Sequence, residues 1–84
     1  MKENEVIEII KKHNESIDNY ISGELAEKLN AKNGKIFMND WFKAQSLIKE
    51  QNFYGKATKI LRDLRSKGFD VKIDMQSNKL TYYR

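Results

Sequence analysis

The sequence contains no cysteine and no proline, and its 84 residues include only one histidine and one tryptophan. Without cysteine, neither a disulfide framework nor a thiolate metal site can form, which excludes the disulfide-stapled scaffolds of small secreted proteins and favours a cytoplasmic protein. The single histidine, His13, has no second histidine with which to bind a metal ion. We therefore expect no metal and no other cofactor.

Long apolar runs are also missing. No stretch approaches the ~20 apolar residues that span a bilayer, and the charged N-terminus does not match a signal peptide, so no membrane association is expected. The acidic residues are scattered along amphipathic segments, and no nucleophile motif accompanies them. The sequence therefore predicts a protein that is not an enzyme.

The composition is that of one small folded domain. Hydrophobic residues make up 39% and charged residues 33% of the chain, and 84 residues suffice for a single core. A chain this short buries a small share of its surface, so large apolar side chains such as Trp41 and Phe42 are expected in the core. We expect one domain over 1–84.

Positive charge is concentrated toward the C-terminus. Residues 1–31 carry four Lys against seven Asp or Glu, a balance of −3, whereas residues 54–84 carry eight Lys or Arg against three Asp, a balance of +5. The segment 32–53 between them carries +2. Such an asymmetry indicates an anionic partner for the C-terminal half and does not bear on the fold.

Apolar residues at three- and four-residue spacing predict a helix over 3–21, with a break near Asn14 as an option because asparagine is a weak helix former. Ser22 is suited to cap a second helix over 22–31 that ends before Asn33 and Gly34. A short apolar run over 35–38 predicts one strand, and Asn39 or Asp40 can cap the following helix over 40–51.

One further helix and a hairpin complete the chain. A turn over 52–55 separates the helix 40–51 from a helix over 56–67, which Gly68 closes while Phe69 folds back on Leu64. Alternating apolar residues then predict a strand over 69–75 with Met75 on its buried face, a turn over 76–79 in which Asn78 takes positive φ, and a last strand over 80–84. Phe53 and Tyr54 lie in the turn, one in the core and one outside, and the pattern does not say which.

The order of these elements is that of a winged helix-turn-helix domain. The stretch from Ala57 to Phe69, ATKILRDLRSKGF, and the following residues 70–73, DVKI, resemble the recognition helix and first wing strand of that superfamily. In their pattern of apolar and charged residues they are similar to the C-terminal winged-helix domains of phage and plasmid primase-helicases. The resemblance implies an α+β fold with a winged-helix core over 22–84, an N-terminal helical extension over 1–21 and a C-terminal β-hairpin wing. It also implies that the helix over 56–67 enters a major groove of DNA.

The residue types on this helix suit that role. The apolar side of the predicted helix directs Lys59 and Arg62 outward, where Arg can bind a phosphate or a guanine edge through two parallel hydrogen bonds. In the wing, Tyr82 lies on the same face of the last strand as Leu80 and is expected in the core. Tyr83 points outward and can stack on an unpaired base. The residues expected to contact nucleic acid are Tyr54, Lys56, Thr58, Lys59, Arg62, Arg65, Lys72, Lys79, Tyr83 and Arg84. The sequence thus predicts a DNA-binding regulator or replication accessory of a mobile element, with duplex and single-stranded targets both open.

An alternative of another class is a protein-interaction subunit that docks on a larger replication or recombination enzyme. Its support is the apolar stripe of the first helix, which is more than a terminal extension requires. The stripe has three uses: the chain's own core, a homodimer, or a partner's groove. Its residues are Val6, Ile9, Ile10, Ile17 and Ile21.

Overall fold

A computed structural model describes residues 1–29 and 41–83. The predicted α+β fold is confirmed: a long N-terminal helix, two further helices and a C-terminal antiparallel hairpin in a winged-helix-like arrangement. The predicted strand over 35–38, the end of the second helix, the caps at Asn39 and Asp40 and the residue Arg84 lie outside the described residues. In chain order the elements are α1 (Glu3–Asn19), a π-helical segment (Tyr20–Leu25), α2 (Ala26–Lys28), α3 (Trp41–Glu50), α4 (Phe53–Ser66), β1 (Val71–Ile73) and β2 (Leu80–Tyr82).

The first helix is longer than predicted, because the chain stays helical from Glu3 to Lys28. Neither the optional break at Asn14 nor a cap at Ser22 is present. The Ser22 hydroxyl donates to the carbonyl oxygen of Asp18 at 2.9 Å, a bond back into the preceding turn. The helix instead widens through the π-helical segment, where the extra residue in each turn shifts the register of the buried face.

Helix α1 is a part of the core. Its two halves belong to two different buried clusters. The first half packs against α4 and the hairpin, whereas the second half packs against α3 and the start of α4. The first cluster comprises Val6, Ile10, Ala57, Leu64, Val71 and Leu80. The second comprises Ile17, Tyr20, Leu25, Ala44 and Phe53. One consequence is that residues 1–21 join the two halves of the core, which a detachable extension would not do.

The turn between α3 and α4 is shorter than the predicted 52–55. Only Gln51 and Asn52 leave the helical conformation, and Asn52 takes the left-handed region at φ 55°. Phe53 begins α4 and is buried, with its ring at 5.7 Å from that of Tyr20. The choice that the sequence left open is thereby settled: Phe53 lies in the core and Tyr54 outside. Phe42, expected inside, is 83% exposed on α3.

The end of α4 follows the predicted pattern. Gly68 has φ 92°, a conformation that costs glycine no strain, and the backbone N–H of Phe69 donates to the carbonyl of Leu64 at 3.1 Å. Phe69 packs against the first core cluster, which contains Leu64. The predicted closure by Gly68 and Phe69 is confirmed, and it directs the chain into β1.

In the hairpin, Val71 pairs with Tyr82 and Ile73 with Leu80, which places all four side chains on the face toward the helices. Asn78 takes positive φ, at 62°, as predicted. The prediction for Met75 is wrong, because its side chain is 67% exposed. The strand ends at Ile73, and Met75 lies in the turn, so the alternation no longer determines which way it points.

The free edge of β2 is covered by a side chain of α1. The Asn14 amide donates from Nδ2 to the carbonyl oxygen of Leu80 at 2.9 Å, and its Oδ1 accepts the Leu80 N–H at 2.8 Å. His13 beside it donates from Nε2 to the carbonyl oxygen of Asn78 at 2.9 Å. Two successive residues of α1 thus hold the hairpin in place along its outer edge.

Asp74 organises the hairpin turn, which leads to a prediction on pH. Its carboxylate accepts the Gln76 N–H and the Ser77 hydroxyl, both at 3.0 Å, and these bonds lower the pKa of Asp74 below its ordinary value. Since the pKa is lower in the folded than in the unfolded state, the stabilisation is present above the unfolded pKa and is lost as pH falls through the folded pKa. We expect the Gln76 amide proton shift to titrate with a midpoint below that of an ordinary aspartate. This titration should vanish in Asp74→Asn, and a midpoint at or above the ordinary value would contradict the arrangement.

Candidate nucleic-acid interface

Helix α4 separates an apolar side from a basic side. Ala57 and Leu64 are fully buried, whereas Lys56, Lys59 and Arg62 are exposed. Over 53–67 the chain carries five Lys or Arg against the single Asp63, a balance of +4. The inward and outward sides of the helix predicted from the sequence therefore match the burial of its residues.

Most of these cations remain available to an external anion. Among residues 1–29 and 41–83, the ion pairs join Lys28 to Glu24, Lys67 to Asp63 and Lys79 to Asp18. The cations of the predicted interface that take part in none of them are Lys56, Lys59, Arg62, Arg65 and Lys72. Lys56 is held by another contact, since its Nζ lies 5.5 Å from the centre of the Phe53 ring.

Two predicted contact residues, Thr58 and Arg65, use part of their side-chain polar groups within the protein. The Thr58 hydroxyl donates to the carbonyl of Tyr54 at 2.8 Å, which leaves its oxygen free only to accept. Arg65 donates from Nε to the carbonyl of Val71 at 2.9 Å. The residue is otherwise exposed, and this bond uses only one N–H group of its guanidinium. Tyr54 is half exposed and lines a cleft beside Met75 at the tip of the hairpin.

The outer face of the hairpin carries an aromatic ring beside a cation. Lys72 Nζ lies 4.6 Å from the centre of the Tyr83 ring, and Tyr83 is 48% exposed. Tyr82 on the opposite face packs against the core, as predicted from its parity. The hairpin is neutral over 69–83, because Asp70 and Asp74 balance Lys72 and Lys79. Its outer face therefore offers an exposed ring and the cation beside it.

Lys79 does not belong to this outer surface. Its Nζ lies 2.7 Å from Oδ1 of Asp18 on α1, and its side chain is only 38% exposed. The predicted phosphate contact of Lys79 stays a prediction, and Asp18 would compete with a phosphate for this ammonium group. No local pattern predicts this pairing, because the two residues meet only when α1 packs along the hairpin.

The structure adds a lysine that the sequence did not single out. Lys12 of α1 lines an open hollow of about 450 Å³ together with Lys56 and Lys59 of α4. Lys12 lies three residues after Ile9, at the edge of the apolar stripe, so a position flanking the core was readable from the spacing. Which flank faces α4 was not readable, because it depends on how the two helices pack.

The apolar stripe of α1 serves the chain's own core. Val6, Ile10 and Ile17 are buried, and Ile9 and Ile21 are half-buried against the two clusters. Of the three uses left open, the structure thus shows the first for these residues. A stripe that is already covered is not a free face for a partner's groove.

His13 is 7% exposed, with Nε2 bound to Asn78 as described. Within the described ranges, His, Asp and Glu form no group of three that could hold a metal ion. No helix in the same ranges is both long and apolar enough to cross a bilayer.

Comparison of the chain with protein-family models, with curated proteins and with solved structures finds no match.

Proposed function

We propose that this protein is a non-catalytic, winged-helix nucleic-acid-binding protein, with DNA as its partner. The exposed side of α4 lies against the phosphate backbone or in a groove, and the outer face of the hairpin lies beside it. The observation that carries the proposal is the set of exposed cations on α4, which no described carboxylate neutralises.

The charge distribution supports different roles in binding for α4 and for the hairpin. Over its residues 53–66 helix α4 carries four Lys or Arg against Asp63, a balance of +3, whereas the hairpin over 69–83 is neutral. Binding that depends on released counterions therefore has its main source in α4. The hairpin supplies an aromatic ring, which suits contact with a base or sugar more than with a phosphate.

Arg62 and Lys59 have the residue types that such a surface needs. Both are exposed on the side of α4 opposite Ala57 and Leu64, so a change at either removes no core contact. The Arg62 guanidinium can bind two oxygens of one phosphate or the edge of a guanine, and Lys59 supplies a mobile point charge. Phosphate contacts fix position, whereas base contacts specify sequence.

The test is a salt titration of binding. Affinity of the intact chain for labelled duplex and single-stranded oligonucleotides is measured by fluorescence anisotropy from about 50 to 200 mM salt. The proposal predicts that log K falls linearly with log[salt], with a slope of about −0.9 for each duplex phosphate contacted. Absence of binding at low salt, or affinity that salt does not change, would overturn it.

A further prediction concerns Tyr83. Replacing Tyr83 with alanine removes a ring that is half exposed beside Lys72, so we expect single-strand affinity to fall by about 1 to 3 kcal/mol, the usual range for one stacked base. Duplex affinity should fall less, because paired bases do not present their faces. Tyr83→Phe keeps the ring and should bind as the unchanged protein does. Equal losses for duplex and single strand in Tyr83→Ala would contradict a stacking role.

A further inference from the structure

We propose that the hollow between α1 and α4 binds a phosphate group of the nucleic-acid backbone, and that Lys12 extends the interface from α4 onto the first helix. The inference rests on the proposed function and names one binding position within it. It assigns a role to a helix whose overall charge is negative.

The hollow brings together groups from two helices. Ile9 and Ile60 provide an apolar floor, and His13 and Ser16 line it from α1. Three lysines complete the lining, one from α1 and two from α4: Lys12, Lys56 and Lys59. The aliphatic stems of lysine side chains can cover such a floor while the ammonium groups remain in water, where an anion reaches them.

The electrostatics favour an anion at this place. Three positive charges share one hollow, and in the described parts of the chain none of them forms an ion pair. Like charges held together repel one another, and a phosphate between them converts this repulsion into attraction. Along α1 the carboxylates nearest in sequence are Glu15, three residues after Lys12, and Glu8, four residues before it; both are exposed, and neither lines the hollow.

Lys12 is a positively charged residue on a helix whose overall charge is negative. Over 3–19 the chain carries five Asp or Glu against only two lysines, a balance of −3. Of the two lysines, Lys12 lies on the flank facing α4 and Lys11 on the flank facing β2, where Glu15 and Asp18 line the same depression. Adjacent residues of one helix thus occupy opposite electrostatic surroundings.

Ser16 adds a neutral donor at the hollow. It lies one turn after Lys12 on the same flank, and a hydroxyl can donate a hydrogen bond to a phosphate oxygen. The imidazole of His13 has another role, because its Nε2 is bound to the hairpin. The charge needed for binding therefore comes from the lysines.

The pair Lys12→Ala and Lys11→Ala tests the inference, because both remove one charge from neighbouring exposed positions of one helix. We expect Lys12→Ala to weaken duplex binding roughly fivefold at moderate salt and to reduce the salt slope by about 0.9, the value of one phosphate contact. Lys11→Ala should leave both quantities unchanged. Circular dichroism and thermal unfolding check that both variants remain folded.

The outcomes separate this inference from the proposed function. If the unchanged protein binds oligonucleotides but the two variants behave alike, the hollow is not a phosphate site and the proposed function stands. If the unchanged protein binds no oligonucleotide, the proposed function fails, and this inference fails with it as a nucleic-acid contact. An NMR titration with inorganic pyrophosphate then shows whether the hollow takes phosphate at all: shifts at Lys12, Ser16 and Lys56 amides that Lys12→Ala abolishes support an anion site, and none excludes it.

Discussion

Replacing Asn14 with leucine is expected to lower the free energy of unfolding by about 2 to 5 kcal/mol, because two polar groups of β2 lose their partner at once. The Asn14 amide satisfies both the N–H and the carbonyl of Leu80, which is 2% exposed. Leucine has the same number and branching of side-chain heavy atoms, is larger because of its methyl groups, and has no polar atoms, so it replaces neither bond. Each buried group left unpaired costs about 1 to 3 kcal/mol, and since both bonds are only partly buried, the expected loss stays below the sum of the two upper values.

The loss is large for a chain of this size. Stability of roughly 0.05 to 0.15 kcal/mol per residue amounts to about 4 to 13 kcal/mol in total. Urea denaturation followed by circular dichroism measures the change. The matched control is Asn19→Leu, at an exposed position near the end of the same helix. Equal losses for the two variants would show that the Asn14 bonds contribute nothing specific.

Asn14→Asp separates the two bonds. A carboxylate still accepts the Leu80 N–H but cannot donate to the Leu80 carbonyl, and it brings negative charge toward that oxygen. We expect this variant to be destabilised above about pH 5 and to recover part of the loss in acid, where a protonated carboxyl donates again. Such a pH dependence reports on the hydrogen bond, because a change of side-chain volume alone would not vary with pH.

The second large effect is on binding. The double variant Lys59→Ala/Arg62→Ala removes two exposed cations from α4, neither of which takes part in an ion pair among the described residues. We expect duplex affinity to fall by about 2 kcal/mol, roughly thirtyfold, and the salt slope to decrease by about two. Fluorescence anisotropy at several salt concentrations gives both quantities.

A variant of equal charge loss controls for the net charge of the protein. Lys11→Ala/Lys43→Ala also removes two exposed lysines, but from α1 and α3. If position matters, this control retains most of the affinity, because only long-range attraction has been reduced. If both double variants lose affinity equally, general positive charge would explain binding and α4 would have no special role. Thermal unfolding should be little changed in both.

Local patterns predicted the C-terminal half of the fold well. Gly68 after the last helical turn, Phe69 with an apolar partner at Leu64, and Asn78 in the hairpin turn are short-range features, so a sequence read residue by residue contains them. The inward and outward sides of α4 followed from spacing for the same reason. Met75 and Phe42 show the limit, because a periodic pattern does not reveal where the element ends or whether a neighbour covers it.

The N-terminal half required knowledge of packing. Asn14 is a weak helix former, which makes it an optional break in the predicted helix, yet its side chain binds the edge of a strand 66 residues away. The pairing of Lys79 with Asp18 and the meeting of Lys12 with Lys56 and Lys59 have the same origin. Each depends on α1 lying between α4 and the hairpin, an arrangement that no local pattern specifies.

Nucleic acid is proposed to lie on the exposed side of α4, and mapping the contact on the intact protein is the decisive experiment. Backbone amide shifts are followed by NMR as a short duplex is added at low salt. We expect the largest changes at Lys56, Lys59 and Arg62, with further changes at Lys12, Lys72 and Tyr83. Changes confined to α3 around the exposed Phe42, with α4 unaffected, would contradict it.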